Sequence, residues 1–129
     1  MKTIEEQIFD QVQNIPDKVA LISGNTEITY SQLWDYCLCA AEKLKQDYHL
    51  KKGDRVILSA AGNIEFVYAY FGVHIAGGIC VPIDPDTNQT RFEYIEKSTT
   101  PVCVMGLLHN VKKETTFHLD LKSYNQLPQ

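Results

Sequence analysis

The chain has no stretch approaching the ~20 consecutive apolar residues that span a bilayer. Its longest apolar windows, residues 66–75 and 79–83, are split by Gly77-Gly78. The opening Met1-Lys2-Thr3-Ile4-Glu5-Glu6 lacks the continuous apolar core of a secretory leader. Basic residues are outnumbered, 12 to 16, for a formal charge of −4, and no run of them forms a stripe. That argues against nucleic acid as the main partner, because phosphate backbones demand clustered Lys and Arg. His49, His74, His109 and His118 have no spacing suited to a zinc site. No internal repeat, low-complexity tract or linker interrupts the 129 residues. These absences lead to the expectation of a soluble, cytoplasmic protein with one domain.

Four cysteines are present, but their placement speaks for packing. Cys37 and Cys39 stand two apart on an expected helix, which rotates their side chains by about 200° and turns them away from each other. Cys80 and Cys103 fall in expected strands among Ile, Val and Met, where reduced thiols act as small apolar groups. Apolar residues make up 44% and charged residues 22% of the chain, an ordinary globular balance. A chain of this length buries roughly two-thirds of its unfolded surface.

The local pattern alternates between helix and strand periods. Thr3-x-x-Glu6 predicts a capping box opening a helix with Ile4, Ile8 and Val12 on one stripe, ended at Asn14-Ile15-Pro16-Asp17. Val19-Ala20-Leu21-Ile22, a Gly24-Asn25 turn and Glu27-Ile28-Thr29 predict an antiparallel hairpin. Thr29-x-x-Gln32 is a second capping box, with a helix to about Gln46 whose Leu33, Cys37, Ala40, Ala41 and Leu44 share a face. Gly53-Asp54 turns into strand Arg55-Val56-Ile57-Leu58-Ser59, apolar on consecutive positions as in a sheet covered on both faces. Asn63 is read as the cap of a helix over 64–75, followed by a buried strand over 79–83 with Pro82 near its end. A helix over 89–98 with Phe92, Ile95 and Tyr94 facing inward follows, then a buried strand over 101–105 ended by Gly106. Phe117-His118-Leu119-Asp120-Leu121 alternates like a strand, and residues 123–129 have no closing element. The fold class is therefore α/β: a mostly parallel sheet with flanking helices and right-handed crossovers.

Four segments carry more than local structure. They are Pro16-Asp17-Lys18-Val19-Ala20-Leu21, Ile28-Thr29-Tyr30-Ser31-Gln32-Leu33, Lys52-Gly53-Asp54-Arg55-Val56, and Ala76-Gly77-Gly78-Ile79-Cys80-Val81-Pro82-Ile83-Asp84-Pro85. In this order and spacing they resemble the N-terminal region of the adenylate-forming (AMP-binding) superfamily, which includes acyl-CoA synthetases and the adenylation domains of nonribosomal peptide synthetases. The resemblance covers roughly residues 16–105 and departs at Gln32, where Glu is usual, and at Cys80, where an aromatic is common. Read bottom-up, the same motifs are scaffolding: complementary caps, a tight lead-in to a strand, and glycines that end a helix beside a strand.

The resemblance implies a fold and an activity. The chain is expected to be part of the N-terminal domain of the acyl-CoA synthetase-like fold, a truncated portion of a larger adenylation domain. The parent is expected to convert a carboxylic acid and ATP, with Mg²⁺, into an acyl-adenylate, then to a thioester with CoA or a carrier thiol. A fatty-acid or aryl-acid CoA ligase is favoured slightly over a peptide-synthetase domain. The parts that handle phosphate are missing from the sequence: nothing resembles a Ser/Thr/Gly-rich loop followed by Lys, an acidic ribose motif or the C-terminal lysine. Ser59-Ala60-Ala61-Gly62-Asn63 has one glycine and no following Lys. Asp84 and Asp86 flank a proline turn, where Asp bonds local backbone more often than metal. Ser31 and Ser59 lack a nucleophile-elbow setting. His74 reads as a hydrogen-bonded structural residue, and Tyr68, Tyr70 and Phe71 as core before acyl pocket.

The sequence thus assigns this chain no catalytic, cofactor-binding or metal residue of its own. ATP, Mg²⁺ and CoA belong to the parent, and the remainder of the parent is the expected partner. Self-association through an exposed apolar face is expected if that remainder is missing. Two alternatives stand beside this reading: a naturally short, non-catalytic docking module, and a small dinucleotide-binding domain, which lacks a G-x-G-x-x-G turn.

Overall fold

The computed structural model describes residues 4–23, 26–60 and 64–112. The elements are α1 (Ile4–Asn14), β1 (Val19–Ser23), β2 (Thr26–Thr29), α2 (Tyr30–Asp47), β3 (Arg55–Ser59), α3 (Ile64–Ile75), β4 (Ile79–Ile83), α4 (Gln89–Thr99) and β5 (Cys103–Met105). The expected order of helix, hairpin, helix, strand, helix, strand, helix, strand is the observed one. Expectations on Thr3, Gly24-Asn25, Asn63, the 117–121 strand and the tail over 123–129 lie outside the described residues, as do the side chains of Ile4 and Ile8.

The strands form two sheets. β1 and β2 pair antiparallel, with a register irregularity between Val19 and Leu21. β3 lies between β4 and β5 and is parallel to both, giving the order β4-β3-β5. The chain thus leaves β3 for β4 on one side, then crosses over to β5 on the other. Covering elements differ on the two faces. Val56, Leu58, Cys103 and Met105 share a core with Leu33, Cys37, Ala40 and Leu44 of α2 and with Tyr68 and Val73 of α3. Ile57, Ile83 and Val104 join Phe92 of α4 and Leu108 in a second, smaller core. Covering both faces is why β3 reads as an unbroken apolar run: alternate side chains point to opposite layers, and both layers are dry.

α2 owes its start to Thr29 and Gln32. The Gln32 amide donates to Thr29 Oγ1 at 3.2 Å, and Gln32 Oε1 accepts from the Thr29 amide at 3.0 Å, so two otherwise orphaned donors are satisfied. All five residues assigned to its inner face are buried, and Tyr36 joins them. α2 crosses α3 at very short range. A Cβ placed on Gly72 would stand 2.6 Å from Ala40 Cβ and 3.1 Å from the Cys37 carbonyl oxygen, so only glycine allows the approach. α3 ends at Gly77, whose φ of 89° is a left-handed conformation that L side chains resist. The Gly77 carbonyl then accepts from the Gly53 amide at 2.9 Å, tying the two glycine turns together below the sheet.

Three sequence expectations need correction. β4 is not a buried strand: it is an edge of the three-stranded sheet, Ile79 is 46% exposed, and Pro82 is exposed as well. Pro82 fits there because an outward-facing edge position needs no amide donor. Tyr94 does not face inward; it is 72% exposed, because Phe92 and Ile95 already occupy the side of α4 turned to the sheet. β5 is shorter than the expected 101–105 strand, and Val102 contributes one further backbone bond, to the Arg55 carbonyl at 2.9 Å.

Candidate functional site

Open parallel sheets take their ligands at the carboxyl ends of the strands, beside the point where the strand order reverses. Here that point lies between β3 and β5. Ser59 ends β3 and is 2% exposed. Its Oγ donates to the Leu107 carbonyl at 2.7 Å, just past the end of β5. A Cβ on Gly106 would come 2.9 Å from Ser59 Cβ, so the two strand ends meet without a gap. The crevice position is filled by the chain's own residues 106–108.

The turn after β4 completes this end of the sheet. The Ala60 amide donates to the Ile83 carbonyl at 2.8 Å. Asp84 behaves as expected for a turn aspartate: its Oδ1 accepts from the Asp86 amide at 2.7 Å, and its carbonyl accepts from Thr87 Oγ1 at 2.6 Å. Asp86 does something the sequence did not disclose. Its Oδ1 lies 2.9 Å from His109 Nδ1, and its carbonyl accepts from Asn110 Nδ2 at 2.9 Å. The Asp86–His109 side chains are 73% and 53% exposed, so solvent screens the pair and its worth is at most about 1 kcal/mol.

The other candidates are dispersed. Ser31 sits in the first turn of α2, where its amide donates to the Pro16 carbonyl at 3.0 Å. His49 follows α2 with φ of 53°, at the opposite end of the sheet from His109. His74 stacks edge-on against Tyr70, with ring centroids 4.7 Å apart. Tyr68 is buried against Tyr36 at 5.9 Å. Tyr70 and Phe71 are half-buried and lie 5.6 Å apart. Core packing accounts for Tyr68, and the half-buried pair packs against the same core. Among the described residues no group of three His, Cys, Asp or Glu is placed to hold a metal ion. All four cysteines are free thiols. Burial pushes Cys37, Cys80 and Cys103 up to about 12 and raises Cys39 too. Such thiols are protonated at neutral pH and are poor nucleophiles.

Among the described residues, Ser59 is bonded to Leu107, Asp84 to its own turn, and Asp86 to His109 and Asn110. The arrangement is that of a scaffold whose strand ends are cross-braced. Sequence reasoning missed the Asp86–His109 and Ser59–Leu107 links because the partners stand 23 and 48 residues apart, with no local spacing to mark them.

Comparison with known proteins agrees with the motif reading. The profile of the AMP-binding enzyme family matches residues 8–127. The chain is 29% identical over 130 residues to bacitracin synthase 3 of Bacillus licheniformis, which covers 95% of this chain and 2% of that protein. It is 31% identical over 94 residues to tyrocidine synthase 3 of Brevibacillus parabrevis, covering 73% of this chain and 1% of that protein. The fold matches the N-terminal subdomain of Klebsiella oxytoca NpsA with a TM-score of 0.78 at 22% identity, over 98% of this chain and 33% of that one. It also matches the N-terminal domain of FACL13 from Mycobacterium tuberculosis, with a TM-score of 0.73 at 24% identity, over 81% of this chain and 27% of that one. The chain thus spans a small part of each relative it resembles. With the motifs, the alternating architecture and the profile in agreement, the chain belongs to the AMP-binding enzyme family.

Proposed function

We propose that these 129 residues are the structural opening of an acid-activating enzyme, and that they do not form acyl-adenylates alone. The observation that carries this is the match of the AMP-binding profile to residues 8–127, together with a strand-end arrangement whose polar groups are already committed to one another. The parent would join a carboxylic acid to ATP with loss of pyrophosphate, using Mg²⁺, and pass the acyl group to a thiol. The phosphate-binding and metal-binding groups would come from the remainder of the parent, packed against this segment. The sequence leans toward a fatty-acid or aryl-acid CoA ligase. The similarity to bacitracin and tyrocidine synthases supports the other acceptor, a carrier thiol of a peptide synthetase, and we adopt that reading.

Carboxylate-dependent exchange of pyrophosphate into ATP tests the proposal. The 129-residue chain is expected to show none with amino, aryl or fatty acids; exchange by this chain alone would overturn it. Sequence of the reading frame past Gln129 is expected to show a Ser/Thr/Gly-rich loop followed by Lys within a few dozen residues, and a stop codon there would count against the parent reading. No helix among the described residues is long and apolar enough to cross a membrane. The apolar side chains at the surface, Ile22 at 69%, Leu107 at 66% and Ile79 at 46% exposed, support burial by the rest of the parent. Light scattering is expected to show the isolated chain associating with itself as concentration rises; a monodisperse monomer would favour a self-contained docking module.

A further inference from the structure

Residues 106–112 leave β5 and run back across the carboxyl ends of the three parallel strands. Five polar links hold this run down. Ser59 Oγ donates to the Leu107 carbonyl at 2.7 Å. The His109 amide donates to the Pro85 carbonyl at 2.9 Å. His109 Nδ1 meets Asp86 Oδ1 at 2.9 Å. Asn110 Nδ2 donates to the Asp86 carbonyl at 2.9 Å. The Lys112 amide donates to Gln89 Oε1 at 2.9 Å. Beneath them Leu108 is buried and Val111 half-buried against the smaller core of Ile57, Ile83, Phe92 and Val104.

From this we infer that residues 106–112 are a strap over the carboxyl-end crevice, one that releases from the turn over 84–89 as a unit while the sheet stays folded. The links at Asp86, His109 and Asn110 are at the surface, where water competes for each bond and its net contribution is small. Leu108, the Ser59 link and, in part, Val111 are what anchor the strap away from water. β3, by contrast, is bonded on both edges and covered on both faces. Local opening concentrates where buried apolar contacts are few and backbone bonds are exposed. Release would uncover Ser59 Oγ and the ends of β3 and β5, the position where a parallel sheet of this kind receives a ligand or an adjoining part of the enzyme. The inference concerns this chain alone and stands whether or not the parent activates an acid.

Native-state amide exchange of the full chain tests it. The His109 and Lys112 amides are expected to exchange together and faster than those of Ile57 and Leu58. The deciding variant is Gln89→Ala, which removes the acceptor of the Lys112 amide; the other bond it takes away is the Gln89 Nε2 donation to Glu93 within the exposed first turns of α4, which does not touch the strap. If the strap opens as one unit, His109 exchange also rises, by about three- to tenfold for one lost hydrogen bond, with Ile57 and Leu58 unchanged. Asn110→Ala should act on Lys112 in the same way from the other end. A change confined to Lys112 in Gln89→Ala, or His109 exchanging at the same rate as β3 whether fast or slow, overturns the inference.

Discussion

Gly72→Ala sets two physical effects against each other, and the structure says which wins. In an isolated helix, alanine is favoured over glycine by about 1 kcal/mol, because it restricts the unfolded chain and covers the backbone. Propensity alone therefore predicts stabilisation. In this fold the new methyl would lie 2.6 Å from Ala40 Cβ, 3.1 Å from the Cys37 oxygen and 3.3 Å from the Ala41 nitrogen. Carbon atoms pack best at about 3.5–4.0 Å, so the helices must part by about 1 Å. Two of the obstructing atoms are backbone, and the third is a methyl bonded directly to it, so no rotamer change relieves the contact. Cys37 and Ala40 are wholly buried at the centre of the larger core, and separating α2 from α3 loosens that core. Overpacking of this kind costs about 1–3 kcal/mol. Set against the propensity gain of about 1 kcal/mol, the net expectation is destabilisation by up to about 2 kcal/mol. In urea, with a slope of about 2 kcal/mol/M, that lowers the midpoint by up to about 1 M without changing the slope. Adding Ala40→Gly should recover part of the loss, because it removes the opposing methyl; the two changes are coupled rather than additive. A Gly72→Ala variant with a raised midpoint would refute the reasoning, since it would mean that the crossing yields freely.

Two further outcomes follow from local conformation and burial. Thr100 closes α4 with φ of 43° and ψ of 61°, a left-handed cap that a β-branched residue occupies at a cost of about 1–2 kcal/mol. Thr100→Gly is expected to stabilise by about 0.5–1 kcal/mol and to raise the thermal midpoint by a few degrees; an unchanged or lower midpoint would count against strain at this cap. The buried thiols make stability depend on pH in the alkaline range. Cys37, Cys80 and Cys103 titrate at about 12 in the fold against 9.0 for an ordinary thiol, so above pH 9 the unfolded chain loses protons that the folded chain keeps. The contribution is complete below pH 9 and is lost as pH rises toward 12. Urea midpoints from pH 8 to 10.5 should therefore fall, and a Cys37→Ala, Cys103→Ala variant should fall less steeply. At pH 8 a disulfide reagent is expected to label Cys37 and Cys103 only after denaturation.

Much of the fold was legible from periodicity because its local signals agree with one another. The Thr29–Gln32 box, the inner face of α2 and the glycine stop of α3 all lie within a few residues of what they control, and each appears where the pattern places it. The continuous apolar run of β3 correctly reported a strand covered on both faces. The same rule misled at β4. Ile79-Cys80-Val81-Pro82-Ile83 is equally apolar, yet it stands at an edge of the described sheet with Ile79 and Pro82 exposed. An apolar run records that a strand is suited to burial, not whether it stands at the centre or the edge of its sheet. Tyr94 failed for a different reason: it stands two positions from Phe92, about 200° round the helix, so with Phe92 set against the sheet Tyr94 turns to solvent.

The amino-acid order by itself determined the succession of helices and strands, their caps and turns, the α/β class and the family, because each rests on interactions between near neighbours or on motifs that stay contiguous. The tertiary structure alone decided that the hairpin forms a separate sheet, that β3 takes the centre with β4 and β5 at its sides, and that Ser59 meets Leu107 and Asp86 meets His109. Those outcomes join residues far apart along the chain. Such pairs are selected by the shape left after the helices have packed, and no spacing in the sequence encodes that shape.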